Sequence, residues 1–415
     1  MSTIAKAASA GAATGATGAG DHGARAAAAA AQAPDRLWLY ALLALVATAG
    51  FFYVNIMAAI VDGLVTGLGF TNPQAGTVGA ANIYGASVGS FVAVLLVRRV
   101  RWRPALFALL SLLLLMDLGS LAIREPGLLT AVRAVHGLVG GLAVGITYSV
   151  MARTHSPDRA FGMLLLVQFG LGGLGVMFLP SLVPDYGAGI LFIALAALTA
   201  CSLVALAALP RFRGDAGASA TAAKARLSPS FRTTALVALV ALFLFQAGNM
   251  ALSAFIIRLG EHFALGRDFI GQALGWATWI GAAGAGLVIF MGTRFGRLRP
   301  VLIAMLLTLA GTAGFFWSGQ APVFFIANVG TAITWSFIVP YIFGMLSRLD
   351  PSGRLATLGG FMSKLGLASG PLAAGIVLRT DDFRLLIGLA LATIALSGVA
   401  ALAAARRVDQ LEPAP

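Results

Sequence analysis

The sequence is short of charge, has one cysteine and has four histidines. Only 10% of its 415 residues are Asp, Glu, Lys or Arg, where an average globular chain has about 25%. So few charges do not cover the surface of soluble domains of this length, and 59% of the residues are hydrophobic. The single cysteine, Cys201, lies in an apolar run, which excludes a disulfide framework and a cysteine-based metal site. His22, His136, His155 and His262 are too scattered to suggest a metal site. No nucleophile, base and orienting group come together either, so the sequence points away from an enzyme and from any cofactor.

What the chain does have is apolar runs of about 20 residues, each long enough to cross a hydrocarbon core of about 30 Å. Twelve are expected, over 37–65, 74–97, 104–123, 127–152, 160–182, 186–210, 233–257, 269–291, 300–318, 321–346, 355–378 and 383–405. In lipid each must be helical, because its backbone groups have to be satisfied within the segment. The reading is an all-α membrane protein.

The net charge of +13 suggests nucleic acid at first sight, but its placement does not. Connections after even-numbered spans hold sixteen Arg/Lys and three acids, and those after odd-numbered spans, with Arg384 at the head of the last span counted among them, hold five bases and six acids. That asymmetry is the positive-inside pattern and places both termini in the cytoplasm. The basic excess marks orientation and contact with lipid headgroups, not a nucleic-acid partner.

Residues 1–35 are rich in Ala and Gly and lack a Leu-rich core, so a disordered cytoplasmic tail is expected there rather than a signal peptide. The blocks Arg98-Arg99-Val100-Arg101-Trp102-Arg103-Pro104 and Arg294-Phe295-Gly296-Arg297-Leu298-Arg299-Pro300 lie 196 positions apart, about half the chain. Each follows an even span and opens an odd one. They mark an internal repeat of two six-helix halves. In the fifth span Gly170-Leu171-Gly172-Gly173-Leu174-Gly175 spells the dinucleotide fingerprint G-x-G-x-x-G. That motif needs a strand before it and a helix opening at the phosphate. Inside an apolar span it reads as close helix packing or a flexing point.

Four fixed charges lie within the spans: Asp62, Asp117, Arg133 and Lys364. His136 is the buried group that titrates near neutrality in water. At about 3 kcal/mol each, four unpaired charges rival the stability of a typical domain. They are therefore expected to be paired, neutralised or facing water, with the pairing left open. Arg133 sits in Arg133-Ala134-Val135-His136-Gly137-Leu138-Val139-Gly140-Gly141. The glycines there thin the helix for close neighbours. Polar and aromatic residues collect in the seventh, eighth and tenth spans: Gln246 and Asn249, then Gln272, Trp276 and Trp279, then Asn328, Thr331, Thr334, Trp335 and Tyr341. They suit a polar and aromatic cavity wall.

Twelve spans in two halves, a basic central linker and cytoplasmic termini resemble the major facilitator superfamily over roughly residues 36–408. Arg133-x-x-His136-Gly137-x-x-Gly140 is similar to its motif R-x-x-Q-G, with His136 where Gln is usual. The resemblance implies a role for Arg133 in proton coupling. Gly292-Thr293-Arg294-Phe295-Gly296-Arg297 is similar to the loop motif G-x-x-x-D-R-x-G-R-R, with Thr293 in the place of the acid. A gate built on that acid is not expected. The Gly-Pro pair usual in the fifth helix of the superfamily's drug antiporters is absent, which argues against drug efflux.

The resemblance implies twelve transmembrane helices in two pseudo-symmetric six-helix bundles, residues 36–210 and 233–406. The linker is 211–232 and the tails are 1–35 and 407–415. It also implies alternating access in the inner membrane, by a monomer whose partners are a small-molecule substrate, protons and the bilayer. The specific expectation is proton-coupled symport of a small organic anion. Arg133 and Lys364 would hold the anion, with Asn55, Tyr148, Gln168, Gln246, Asn249 and Trp335 completing the site. Asp62, Asp117 or His136 would carry the proton, and no metal takes part. The rivals are an efflux antiporter for cationic or apolar compounds, with Asp62 as cation partner, and a lipid transporter on the same fold.

Overall fold

The structure is a computed structural model and describes residues 37–97, 100–151, 154, 157–210, 229–291, 294–350 and 354–411. The expected tail 1–35, nearly all of the linker 211–232, and Arg98, Arg99, Gly292 and Thr293 of the two basic loops lie outside these residues. The first expected span is interrupted. It forms α1 (Leu37–Ala49), α2 (Phe52–Asn55) and α3 (Met57–Leu68). Then come α4 (Asn72–Leu96), α5 (Trp102–Ser120), α6 (Pro126–Met151), α7 (Pro157–Tyr186) and α8 (Gly189–Ala208). The second half holds α9 (Pro229–Ala254), α10 (Ile256–His262), α11 (Arg267–Met291), α12 (Leu298–Gly314), α13 (Ala321–Leu349), α14 (Arg354–Val377) and α15 (Phe383–Leu411). Ten of these helices are long and apolar enough to cross a membrane.

Local sequence explains several boundaries. Thr71 caps α4 by accepting from Gln74 N–H, and Gln74 Oε1 accepts from Thr71 N–H at 2.9 Å. This reciprocal capping box satisfies two orphan donors at the helix start. At the other end of the fold, the Asp409 carboxylate accepts from Arg297 N–H and Leu298 N–H at 2.8–3.0 Å. It caps α12 from α15 and supplies an acid to the loop whose own sequence has none. Gly296 turns there with φ +67°.

The interruptions fall at matching places in the two halves. α1–α3 break at Gly50–Phe51 and Ile56, and α9–α10 break at Phe255, whose φ of −112° and ψ of 15° leave the helix. Broken backbone at membrane depth is tolerated only where it is buried in protein or lines a cavity. Here it does both: Ile56 and Phe255 are buried in protein, and Phe51 lines a cavity.

Three apolar cores set the architecture. One lies wholly in the first half and joins Leu39–Ala49 to Leu106, Val139–Met151 and Leu206. One lies wholly in the second half and joins Ala235–Phe245 to Val301, Phe337–Leu349 and Val408. Both occupy the end of the bundle nearer the chain termini. The third core takes residues of both halves at the opposite end, from Phe52–Phe70 and Val176–Leu195 to Met250–Leu274 and Leu378–Ala390. The halves are thus fused by apolar packing on the face away from the termini, and on the terminal face each packs on its own core.

Candidate functional site

Between the halves is a cavity of about 300 Å³. The interrupted helices α1–α3 and α9–α10 contribute Phe51, Asn55, Met57, Asn249, Ser253 and Ile256 to its wall. α7 adds Gln168 and Phe169, α11 adds Thr278, and α13 adds Asn328, Thr331 and Trp335, with Phe315 and Leu367 beside them. No lining residue carries a formal charge. The wall is mostly apolar with a few polar groups, as small-molecule sites usually are. Trp335 is held from behind: its Nε1 donates to Gln246 Oε1 at 2.7 Å, and Gln246 Nε2 donates to Ser363 at 2.6 Å.

The buried charges are elsewhere. Arg133 is 0% exposed in α6. Its Nη1 meets Asp117 Oδ1 at 2.7 Å, its Nη2 donates to Ser120 Oγ, and its guanidinium lies over the Phe192 ring at 4.6 Å. His136 Nε2 reaches the same Asp117 oxygen at 3.2 Å. Asn82 Nδ2 lies 2.9 Å from His136 Nδ1 and also donates to Arg133 O at 3.2 Å. An amide N–H can only donate, so His136 accepts at Nδ1 and presents Nε2–H to Asp117. Three polar atoms of this cluster have no partner among the described residues: Asp117 Oδ2, Arg133 Nε and Tyr53 Oη. Tyr53 lies in α2, two residues before cavity-lining Asn55, and its ring is 6.3 Å from that of His136.

Asp62 belongs to a second cluster on the face away from the termini. Its carboxylate pairs with Arg267 at 2.8 Å, and Arg267 also pairs with Glu261 at 2.6 Å and donates to Pro180 O at 3.2 Å. Arg258 stands 3.5 Å from Glu261. The pair ties α3 and α7 of one half to α10 and α11 of the other. Lys364 lies in a third place, the seam between α4 and α14. Its Nζ donates to Ser90 Oγ, near a Tyr84–Ser369 hydrogen bond of 2.8 Å. Among the described residues no carboxylate pairs with Lys364.

Of the residues expected to bind substrate, the cavity therefore brings together Asn55, Gln168, Asn249 and Trp335. It does not include Arg133, Lys364, Tyr148 or Gln246. Arg133 is fully enclosed by its partners, and Lys364 is engaged at the seam. Gln246 stands behind Trp335, and the Tyr148 ring packs edge-on against Phe161 at 5.5 Å. Of the expected proton carriers, Asp117 and His136 are together and Asp62 is apart. Its partner Arg267 sits in a connection, where the sequence gives no sign that it reaches back to the span. Ser253 and Thr278 were not legible as wall residues, since a lone hydroxyl in an apolar helix usually bonds its own backbone. The glycine run of α7 is helical throughout and faces Asn55, Ile56 and Trp279, so it serves packing.

No curated protein matches the chain by sequence. Among solved structures, a mutant of the nucleoside transporter NupG aligns with a TM-score of 0.71 at 12% identity, covering 89% of this chain and 99% of that one. A mutant of the peptide transporter POT in complex with alafosfalin aligns with a TM-score of 0.70 at 15% identity, covering 92% and 98%. At such identities the likeness is one of fold. The sequence pattern of the Major Facilitator Superfamily matches residues 40–363, which take in the first half, most of the second, the Arg133 cluster and all of the cavity wall except Leu367. With that match over most of its length, this multi-pass membrane protein belongs to the Major Facilitator Superfamily.

Proposed function

We propose that the chain is a secondary active transporter that moves a small, uncharged, hydrogen-bonding solute by alternating access. The observation that carries this reading is the cavity between the halves, whose polar wall groups are amides and hydroxyls without a formal charge. An organic anion, the substrate expected from the sequence, has less support. Both cations meant to hold it are engaged away from the cavity. The apolar core shared by both halves, together with the Asp62–Arg267–Glu261 pairs, closes the face away from the termini. With the termini in the cytoplasm, as the charge pattern implies, the cavity is in an inward-directed state in the inner membrane.

Proton coupling is assigned to Asp117 and His136, with Arg133 holding the carboxylate between them. α2 links this cluster to the cavity, because it carries Tyr53 toward His136 and Asn55 toward the solute. Asp62 is assigned to the closure of the outer face instead.

The test uses purified protein in liposomes loaded with a pH-sensitive dye, under inward gradients of neutral, cationic and carboxylate solutes. Acidification is expected with a neutral solute and is expected to disappear in Asp117→Asn while solute binding persists. Faster flux of carboxylates than of neutral solutes would return the reading to the anion. The apolar majority of the wall supports a second reading, export of a neutral amphiphile. Reversing the gradients in the same assay separates the two.

A further inference from the structure

The hydrogen bonds around the cavity give it a chemical bias. Asn55 Nδ2 donates to Gln168 O at 3.2 Å, Asn249 Nδ2 to Phe245 O at 2.8 Å, and Asn328 Nδ2 to Phe324 O at 2.8 Å. A backbone carbonyl can only accept, so each amide must turn its nitrogen to a helix and its oxygen away from it. Thr278 donates its only hydroxyl proton to Leu274 O at 2.8 Å, and Thr331 donates its own to Ala327 O at 2.8 Å. Each then offers the cavity nothing but lone pairs. Trp335 has its N–H committed to Gln246 and presents only its ring.

The result is five side-chain oxygens, on Asn55, Asn249, Thr278, Asn328 and Thr331, that accept no hydrogen bond from the described residues. Each amide keeps one further N–H, and the lining hydroxyls of Ser253 and Thr312 donate to no partner among the described residues, so donors are present but outnumbered by lone pairs. Gln168 Nε2 lacks a partner but is buried beyond solvent contact. No lysine or arginine lines the wall to attract an anion.

We propose that the cavity selects hydrogen-bond donors. Its solute carries hydroxyl or N–H groups on a body that packs against Trp335 and Phe315, and carboxylates are rejected. This rests on the cavity being the substrate site, as read above. The carboxylate oxygens of an anion would face acceptor oxygens with no compensating cation. An ether or N-methylated solute would leave those oxygens unmet, and a site built to bond a hydroxyl discriminates against the analogue that lacks it.

The test is saturation-transfer NMR on the purified full chain in detergent, with fragment pairs small enough for the cavity. The pairs are benzyl alcohol against benzyl methyl ether, benzamide against N,N-dimethylbenzamide, and benzylammonium against benzoate. The donor-bearing member of each pair is expected to bind about five- to tenfold more tightly, and benzoate is expected to give no cavity signal. The preference should shrink to within about twofold in Asn249→Leu/Asn328→Leu. Thr278→Val/Thr331→Val is the gentler pair and should narrow it in the same direction even where the amide variants fail to fold. Binding of the alcohol and the amide identifies a neutral donor, as the proposed function requires, and binding of benzylammonium alone would overturn the uncharged solute. Equal binding within pairs, preference for benzoate, or no signal that these variants change would overturn the proposal. Donor-selective binding without flux in liposomes would retire the transport reading and leave this one. Flux without donor selectivity would do the reverse.

Discussion

At the scale of the residue, Arg133 shows how a charge is kept inside a bilayer. Its charge is met by one carboxylate, one hydroxyl and two aromatic faces, with Tyr53 at 5.8 Å completing the set. Removing either partner of a buried ion pair leaves an uncompensated charge and costs about 3–5 kcal/mol. Arg133→Leu and Asp117→Leu should each lower the melting temperature of the detergent-solubilised protein sharply. The double variant should recover part of the loss, and a cycle showing simple additivity would contradict the pairing. Lys364→Ala should change fragment binding by less than about twofold, since its charge-assisted bond to Ser90 lies at the seam and does not reach the cavity. That Arg133 and Asp117 are buried and Lys364 half-buried was legible, because ionisable residues in apolar runs stand out. Which of them pair was not, because Asp117 and Arg133 lie on different helices and Arg267 comes from a connection. The orientation of the wall amides was also hidden, since the composition of a helix does not say whether an amide turns its nitrogen or its oxygen inward.

At the scale of the element, glycine decides how closely helices approach. A Cβ on Gly85 or Gly89 would collide with the α6 backbone at Ala134 and Leu138, and one on Gly137 or Gly141 would collide with the α4 backbone at Asn82 and Ala86. The small-residue spacing in both sequences announced this packing. Gly170, by contrast, has open space around its Cβ position. Gly137→Ala should therefore destabilise by about 1–3 kcal/mol through overpacking. Gly170→Ala should be neutral or stabilising by up to about 1 kcal/mol from helix propensity. Parallel thermal melts of the two variants check the contrast, and equal effects would mean that α4 and α6 are not held by backbone contact. The breaks within α1–α3 and α9–α10 were not legible as breaks. Phe51, Ile56 and Phe255 are apolar residues in apolar runs, and hydropathy reads straight through them. Yet the break at Ile56 follows directly on cavity-lining Asn55, and the break at Phe255 falls between cavity-lining Ser253 and Ile256, so part of what builds the site is what periodicity misses.

At the scale of the molecule, the distribution of cores makes one face an apolar joint, while on the other each half has its own core and the α4–α14 seam joins them through Lys364 on Ser90 and Phe91 beside Phe361. The Asp62–Arg267–Glu261 cluster sits at the joint, and Glu261 lies in the connection after the span Phe231–Ala254. Burial, reinforced by the charge of Asp62, pushes the Glu261 carboxyl up from its ordinary value, and Arg267 and Arg258 offset this only in part. In an opened outer face Glu261 meets water and returns toward the ordinary glutamate value near 4.3. The closed state then binds the Glu261 proton more tightly than the open one. By linkage, its advantage from this group is fully present at low pH and is lost as pH rises through the closed-state value. Spin labels at Thr66→Cys and Asp268→Cys, in a Cys201→Ser background, should show a larger short-distance population at pH 5 than at pH 8. Glu261→Gln should flatten that dependence, because it removes the titrating group. Arg267→Ala should shift the population toward long distances at both pH values, because it leaves Asp62 buried without a counter-charge and favours the state in which Asp62 is hydrated. A closed population that instead grows with rising pH, or a pH dependence unchanged in Glu261→Gln, would move control of this face from the charge cluster to the apolar core beneath it.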